Sequence, residues 1–167
     1  MSRTSSAPMK TMPIEFTLNR RAVVARTDET IIETAKRYGI EMPHLCYKEG
    51  MRPDGNCRAC VVEVKGERVL APSCCRYPQD GMEVTTDSAR ALTSQKMVLE
   101  LLLSDIPEMS YTLHSELDQW AMALRIGKPR FPSRLQPEAD LSHAAIATNL
   151  DACIQCGRCV RACREEQ

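Results

Sequence analysis

Residues 40–60 read "IEMPHLCYKEGMRPDGNCRAC", and three of the nine cysteines of the 167-residue chain lie in them. Gly, Pro and Asp recur through the segment, which predicts a loop. With Cys74 further on, Cys46, Cys57 and Cys60 give the spacing C-x10-C-x2-C-x13-C. A tight turn brings the two sulfurs of a C-x2-C pair to one side, and the other two arrive from either side of the loop. The spacing therefore predicts a metal site at this loop.

Two metal centres fit four thiolates. Gly55 and Asn56 immediately precede Cys57 and permit positive φ, so that backbone N–H groups can approach the sulfurs. Thiolates with N–H donors hold iron–sulfur clusters, and the donors help to set the reduction potential. Four thiolates also satisfy tetrahedral zinc, usually as two C-x2-C pairs, whereas this chain has one pair here. The spacing favours a [2Fe–2S] cluster, with a zinc-binding interaction or assembly module as the alternative.

Regular elements are predicted on both sides of this loop. "IEFTLNRRAVVA" at 14–25 predicts two short strands, and "ETIIETAKRYG" at 29–39 predicts a helix with one apolar side. "VVEVKGERVLA" at 61–71 predicts a hairpin, and "GMEVTTD" at 81–87 a last strand. The order β-β-α-loop-β-β-β predicts an α+β domain over residues 12–88.

Capping residues mark where the helices begin. Thr27 or Asp28 is expected to cap the first helix. Ser88 precedes a run with apolar residues at helical spacing, and Ser115 with Asp118 forms a capping-box pattern before a third helix. The chain is accordingly divided into a disordered tail (1–11), the α+β domain (12–88), a helical segment (89–127), an extended linker (128–149) and a second cysteine group (150–167).

The composition excludes several classes of function. The formal net charge is zero, so nothing indicates nucleic-acid binding. "MSRTSSAPMK" lacks the apolar region of a signal peptide, and "MVLELLL" is far too short to span a bilayer. Disulfides are therefore not expected, and metal ligation in a cytoplasmic protein without a membrane partner is the prediction.

The second cysteine group lies in "DACIQCGRCVRACREEQ", residues 151–167. Cys153, Cys156, Cys159 and Cys163 follow C-x2-C-x2-C-x3-C, the run of bacterial [4Fe–4S] ferredoxins. In two-cluster ferredoxins the fourth cysteine of this run ligates the other cluster. The prediction is thus the first half of a ferredoxin module in which Cys163 serves a second cluster. Closure of one cluster by all four cysteines, or completion by a partner chain, remains an alternative.

Three arginines accompany this second group. Arg158, Arg161 and Arg164 place positive charge around an anionic cluster, which would tune its potential. Solvation of the surface is an equally simple explanation.

The sequence also resembles a known family. "MPHLCY", "GNCRACVVEV", "LAPSC" and "GMEVTT" resemble the N-terminal [2Fe–2S] domain shared by three subunits. These are the large iron–sulfur subunit of respiratory complex I, the diaphorase small subunit of NAD-linked hydrogenases and the α subunit of soluble NAD-dependent formate dehydrogenases. The resemblance covers residues 12–104, resumes from "FPSRL" to "CIQCGRCVRAC", and is greatest to the formate dehydrogenase subunit. It implies a β-grasp ferredoxin domain.

The resemblance also implies a function. The chain would be an electron-relay module of a cytoplasmic NAD-dependent formate dehydrogenase, linking a molybdenum or tungsten pterin site to a flavin/NAD subunit. No acid–base pair, nucleophile or nucleotide-binding loop occurs in the chain, so no catalytic residue is expected in it. A diaphorase subunit of an NAD-linked hydrogenase, or of a complex I-like enzyme, is the alternative.

The resemblance bears on three further side chains. The ligand follows "PS" directly in the family, which implies Cys74 as ligand and Cys75 as a packed free thiol. Relatives commonly carry a His and three Cys after the long helix, but residues 104–123 contain no cysteine. His114 is the only imidazole there, so that second cluster is expected to be absent.

Overall fold

A five-stranded mixed sheet and one helix make up the first part of the molecule. The computed structural model describes residues 13–106, 115–135, 137–148, 150–151 and 153–166. The strands and helix up to residue 88 are β1 (Ile14–Leu18), β2 (Arg21–Ala25), α1 (Ile31–Arg37), β3 (Val61–Val64), β4 (Ala71–Pro72) and β5 (Glu83–Thr85).

The strand order of the sheet is β2-β1-β5-β3-β4. β1 runs parallel to β5 and antiparallel to β2, and β3 pairs antiparallel with both β5 and β4. The chain between the two parallel strands carries α1, the cysteine loop and the β3–β4 hairpin. A mixed sheet with parallel central strands and a helix in the crossover is the β-grasp arrangement, so the predicted α+β fold is confirmed.

Helix α1 begins later than the sequence predicts. Thr30 is the N-cap, and its backbone N–H donates to the Glu33 carboxylate at 2.8 Å. The prediction of Thr27 or Asp28 was wrong. Ile31 and Ile32 are buried, and starting the helix at Thr30 directs both into the core. Gly39, with φ of +73°, follows the helix as predicted.

The main hydrophobic core lies between the sheet and α1. It also takes in two of the cysteines, which shows that the site and the core are continuous. Its buried members are Phe16, Leu18, Val23, Ala25, Ile31, Ile32, Ala35, Met42, Tyr47, Cys60, Val62, Val64, Ala71, Cys74, Met82 and Val84.

Two further helices follow the sheet. Helix α2 (Ala89–Asp105) has Ser88 as N-cap, and α3 (Glu116–Ala123) has Ser115, as predicted. The buried Gln95 amide of α2 donates to the carbonyls of Val61 at 2.9 Å and Thr86 at 3.2 Å. This side chain satisfies two backbone acceptors at once and thereby holds α2 against the sheet.

A second, smaller core joins the cysteine loop to these helices. Leu45 and Ala59 from the loop pack with Leu99 of α2 and Leu117 of α3. Ile154, beside the second cysteine group, packs against the same cluster. The loop that carries the first cysteines is therefore covered by one core on each side.

The segment predicted as an extended linker contains a hairpin. β6 (Asp140–His143) pairs antiparallel with β7 (Ile146–Thr148), and every residue of both strands is exposed. Strands this short show too little alternation for the sequence to reveal them. Helix α4 (Arg158–Glu166) then carries part of the second cysteine group. Among the described helices, none has the length and apolar character needed to cross a bilayer.

Candidate metal centre

The structure brings the four cysteines of the first group together. Cys46, Cys60 and Cys74 are buried, and Cys57 is half-buried. The four thiols are neighbours: Cys46 interacts with both Cys57 and Cys74, and Cys74 also interacts with Cys60. Residues from the loop and from the end of the β3–β4 hairpin thus meet at one place.

Backbone N–H groups are directed at these sulfurs. The Cys46 N–H donates to Cys57 Sγ at 3.4 Å, and the Cys57 N–H donates to Cys46 Sγ at 3.5 Å. The backbone amides of Asn56, Ala59 and Cys74 lie near the sulfurs of Cys46, Cys57 and Cys60, respectively, and favour their thiolate forms. The predicted approach of N–H donors to the sulfurs is confirmed, and such donors stabilise thiolates.

The turn around Cys57 depends on two positive φ values. Gly55 has φ of +63°, as predicted, while the second is at Arg58, with φ of +60°, and not at Asn56. A Cβ on Gly55 would lie 2.9 Å from Cys75 Sγ, closer than such atoms approach in proteins. Gly55 is therefore required both for the backbone conformation and for the space beside the site.

The thiols alternate in acidity along the chain of contacts. Donation from the Cys57 and Cys74 thiols holds the pKa of Cys46 far below its ordinary value. Donation from Cys74 lowers the pKa of Cys60 to about 7, and the pKa values of the donors Cys57 and Cys74 are raised in turn. These shifts favour the thiolate form at Cys46 and Cys60, and metal binding would require all four cysteines to be deprotonated.

The arrangement suits a two-iron cluster. Each iron of a [2Fe–2S] cluster takes two thiolates, so four neighbouring cysteines supply the number of ligands that it needs. All-thiol donors with N–H groups directed at them fit the chemistry of this cluster.

Cys75 lies beside this group. Its Sγ is 3.6 Å from Cys74 Sγ, and the residue packs against the main core. Burial raises the pKa of its thiol, which keeps it protonated. These properties suit a packed free thiol, the role predicted for it.

The second cysteine group is built differently. Cys153 and Cys156 are half-buried, whereas Cys159 and Cys163 are exposed on α4. Gln155, with φ of +53°, and Gly157, with φ of +72°, turn the chain between them.

Side chains of the second group hold it against the first loop. Arg158 donates to the Tyr47 carbonyl at 2.7 Å and also pairs with Glu116. Arg161 donates to the carbonyls of Cys46 and Arg52. The two cysteine groups are therefore neighbours.

Two polar contacts complete this attachment. The Asn56 amide donates to the Gln155 carbonyl at 2.8 Å. The Glu165 carboxylate accepts from the Arg52 N–H at 3.2 Å, and the Arg52 guanidinium lies 3.7 Å from it. Both contacts join the 52–56 part of the loop to the C-terminal segment.

The sequence singles out Arg158 and Arg161 as cations beside a cluster, but it does not reveal their docking role or that of Glu165. The C-x2-C-x2-C-x3-C spacing predicts a cluster motif and not a helix, so the helical spacing of these residues is not evident from it. Residues 158, 161 and 165 lie three and four apart and so share one face of α4. This three- and four-residue spacing is the sequence signal that could have indicated a docking face. His114 lies outside the described residues.

Comparison with known proteins identifies the first part of the chain. Residues 11–89 match the family of 2Fe-2S iron-sulfur cluster binding domains. The whole chain is 34% identical to the G 2 subunit of NADH-quinone oxidoreductase from Rhizobium meliloti (strain 1021), covering 91% of this chain and 19% of that protein. It is 35% identical to the HndD subunit of NADP-reducing hydrogenase from Solidesulfovibrio fructosivorans, covering 92% of this chain and 28% of that protein.

A solved structure shares the arrangement. The NAD⁺-reducing [NiFe]-hydrogenase in its H₂-reduced state superposes with a TM-score of 0.82 at 29% identity, covering 92% of this chain and 67% of that one. The chain spans less than a third of the length of the two curated relatives. Residues 11–89 thus match 2Fe-2S iron–sulfur cluster binding domains, and the chain is similar to subunits of an NADH-quinone oxidoreductase and of NAD- and NADP-reducing hydrogenases.

Proposed function

We propose that Cys46, Cys57, Cys60 and Cys74 would hold the [2Fe–2S] cluster of this domain. The observation that carries this assignment is the meeting of the four thiols at one place, with backbone N–H groups directed at the sulfurs of Cys46 and Cys57. The cluster supplies one-electron redox chemistry. The chain's own residues bury it, donate hydrogen bonds to its thiolates and fix its position.

The proposed role is electron relay within a larger NAD-linked oxidoreductase complex. The chain's similarity to subunits of NADH-quinone oxidoreductase and of NAD- and NADP-reducing hydrogenases supports it. We assign no catalytic residue to this chain, and its partners are the flavin/NAD subunit and the catalytic portion of the complex. All nine cysteines are free thiols, which suits the reducing environment of the cytoplasm.

The second cysteine group is proposed to bind a [4Fe–4S] cluster through Cys153, Cys156 and Cys159. Cys163 either closes the same cluster or ligates a second one. The spacing supports this, as do the turns at Gln155 and Gly157, which let the chain curve around a cubane. Contact between α4 and the first loop would place the two clusters in sequence for electron transfer.

Formate is the proposed source of electrons, through a pterin-containing catalytic portion. Support for this finer assignment comes from the sequence likeness to formate dehydrogenase α subunits. The relatives named as hydrogenases support the alternative, in which hydrogen is the donor. The complex, purified anaerobically through a tag on this chain, would be exposed in turn to formate, hydrogen and NADH. Reduction of its clusters by formate but not by hydrogen is expected.

Iron, sulfide and zinc analysis of the purified chain, with EPR after dithionite reduction, tests the ligation. About six irons per chain would mean that both sites fill, and about two that only the first does. Brown protein with a reducible [2Fe–2S] signal is expected. A colourless chain with stoichiometric zinc would contradict the proposal.

A further inference from the structure

Arg161 is a buried cation at the junction of the two cysteine groups. Arg161 is 4% exposed, and one terminal nitrogen of its guanidinium donates to the Arg52 carbonyl at 2.5 Å. The other donates to the Cys46 carbonyl. On the ligation proposed above, the guanidinium therefore bonds the backbone of an iron ligand.

This guanidinium forms no ion pair in the described part of the chain, and its Nε is buried without a hydrogen-bond partner. The Nε of Arg158 is buried in the same way, but Arg158 also pairs with Glu116. Arg130 pairs with Glu100 at 2.7 Å. Burial of an uncompensated cation is costly, since two carbonyl dipoles replace only part of its hydration.

An iron–sulfur cluster would supply the missing negative charge. Two ferric ions, two sulfides and four thiolates sum to a net negative charge, which grows by one when an external donor reduces one iron. A fixed cation nearby attracts the reduced form more than the oxidised form, most of all where water is excluded.

We propose that Arg161 is a positioning residue that holds α4 against the cysteine loop and whose buried charge raises the reduction potential of the [2Fe–2S] cluster. The inference rests on the ligation proposed above. It goes beyond that ligation because it gives a residue of the second cysteine group control over the redox equilibrium of the first.

Arg164 provides a matched control. It lies on the same helix and carries the same charge, but its side chain is exposed to solvent. Water and salt screen an exposed charge, so neutralising Arg164 changes the net charge without removing a buried cation.

The test is a dithionite titration with redox mediators, monitored by EPR, of the full chain and its variants. For Arg161→Gln we expect about a tenfold lower ratio of reduced to oxidised [2Fe–2S] cluster at a fixed ambient potential, equal to about 59 mV for a one-electron couple. Arg164→Gln should change the ratio by less than about twofold. Arg161→Lys, which keeps the charge, should lie between wild type and Arg161→Gln.

Other results would also test the role of Arg161 or the ligation on which it rests. Equal potentials for Arg161→Gln and Arg164→Gln would overturn the inference while leaving the ligation intact. If Arg161→Gln does not assemble the cluster but Arg161→Lys does, the result would support a need for the positive charge. If neither variant assembles the cluster, the inference is overturned. A wild-type chain without a [2Fe–2S] cluster would contradict the ligation itself.

Discussion

The two cysteine groups occupy opposite kinds of environment. Cys46 and Cys74 are fully buried, and their sulfurs are positioned by a loop covered by one hydrophobic core on each side. Cys159 and Cys163 are exposed on a nine-residue helix whose attachments to the loop are polar side-chain contacts.

This difference distinguishes a site supported by two hydrophobic cores from one with fewer buried contacts. Both cores pack against the loop of the first group, so the free energy of burying them also organises that site. In the second group Ile154 packs against the second core, and metal binding there would contribute further to ordering the segment. Substitutions in the two regions should therefore differ in what they disturb.

The largest expected effect is at the first site. Cys74→Ala leaves one iron short of a thiolate, and we expect the reducible [2Fe–2S] EPR signal to disappear. Cys75→Ala, one residue away, should retain the signal because that thiol is only packed. The reverse outcome would exchange the roles of the two cysteines.

Next in size is the second core. Leu99 is fully buried against Leu45 and Ala59 of the loop, so Leu99→Ala should lower the free energy of unfolding by about 2–5 kcal/mol. Leu101, on the same helix, is 46% exposed, and Leu101→Ala should cost less than about 0.5 kcal/mol. Denaturant unfolding followed by circular dichroism measures both. Similar losses for both variants would mean that this core does not support the loop.

A smaller effect is expected at Gly55. The positive φ alone should make Gly55→Ala destabilising by about 1–2 kcal/mol, and contact of the new Cβ with Cys75 Sγ adds to this. Gly50→Ala, at φ of +83° in open space, measures the backbone part alone. Combining Gly55→Ala with Cys75→Ala should restore the part of the stability that is lost through contact of the new Cβ with Cys75 Sγ. No recovery in thermal unfolding would show that the sulfur moves aside freely.

The same contrast explains what the sequence could predict. The strands and the two later caps followed from local patterns, since each depends on residues close in the chain. The [2Fe–2S] domain followed from the spacing of four cysteines and from a family resemblance. Gly55 was identified because only glycine readily takes its conformation. The positive φ at Arg58 was not, because the demands of the surrounding fold override the preference of an arginine.

Local sequence patterns could not predict the docking of the second cysteine group against the first loop. Arg161 reaches a carbonyl 115 residues away, and nothing near residue 161 encodes the position of that acceptor. The start of α1 was misplaced for a similar reason. Glu29 is drawn into an ion pair with Arg37 at 2.7 Å, and the burial of Ile31 and Ile32 sets the first turn. Long-range burial thus decided between neighbouring capping residues.

The smallest predicted effect tests whether polar contacts hold α4. Glu165→Gln removes the ion pair with Arg52, whose side chain is 70% exposed, so the cost should stay below about 1 kcal/mol and shrink as salt rises. Hydrogen exchange of α4 should increase at low salt, while exchange in the sheet stays unchanged. Glu49→Gln, which breaks the exposed Lys36–Glu49 pair of the β-grasp domain, should leave α4 exchange unaffected. If hydrogen exchange of α4 in Glu165→Gln is unchanged at low salt, the polar attachment of α4 to the loop is assigned to Arg158 and Arg161. The helix would then depend on buried charges and not on charges that salt screens.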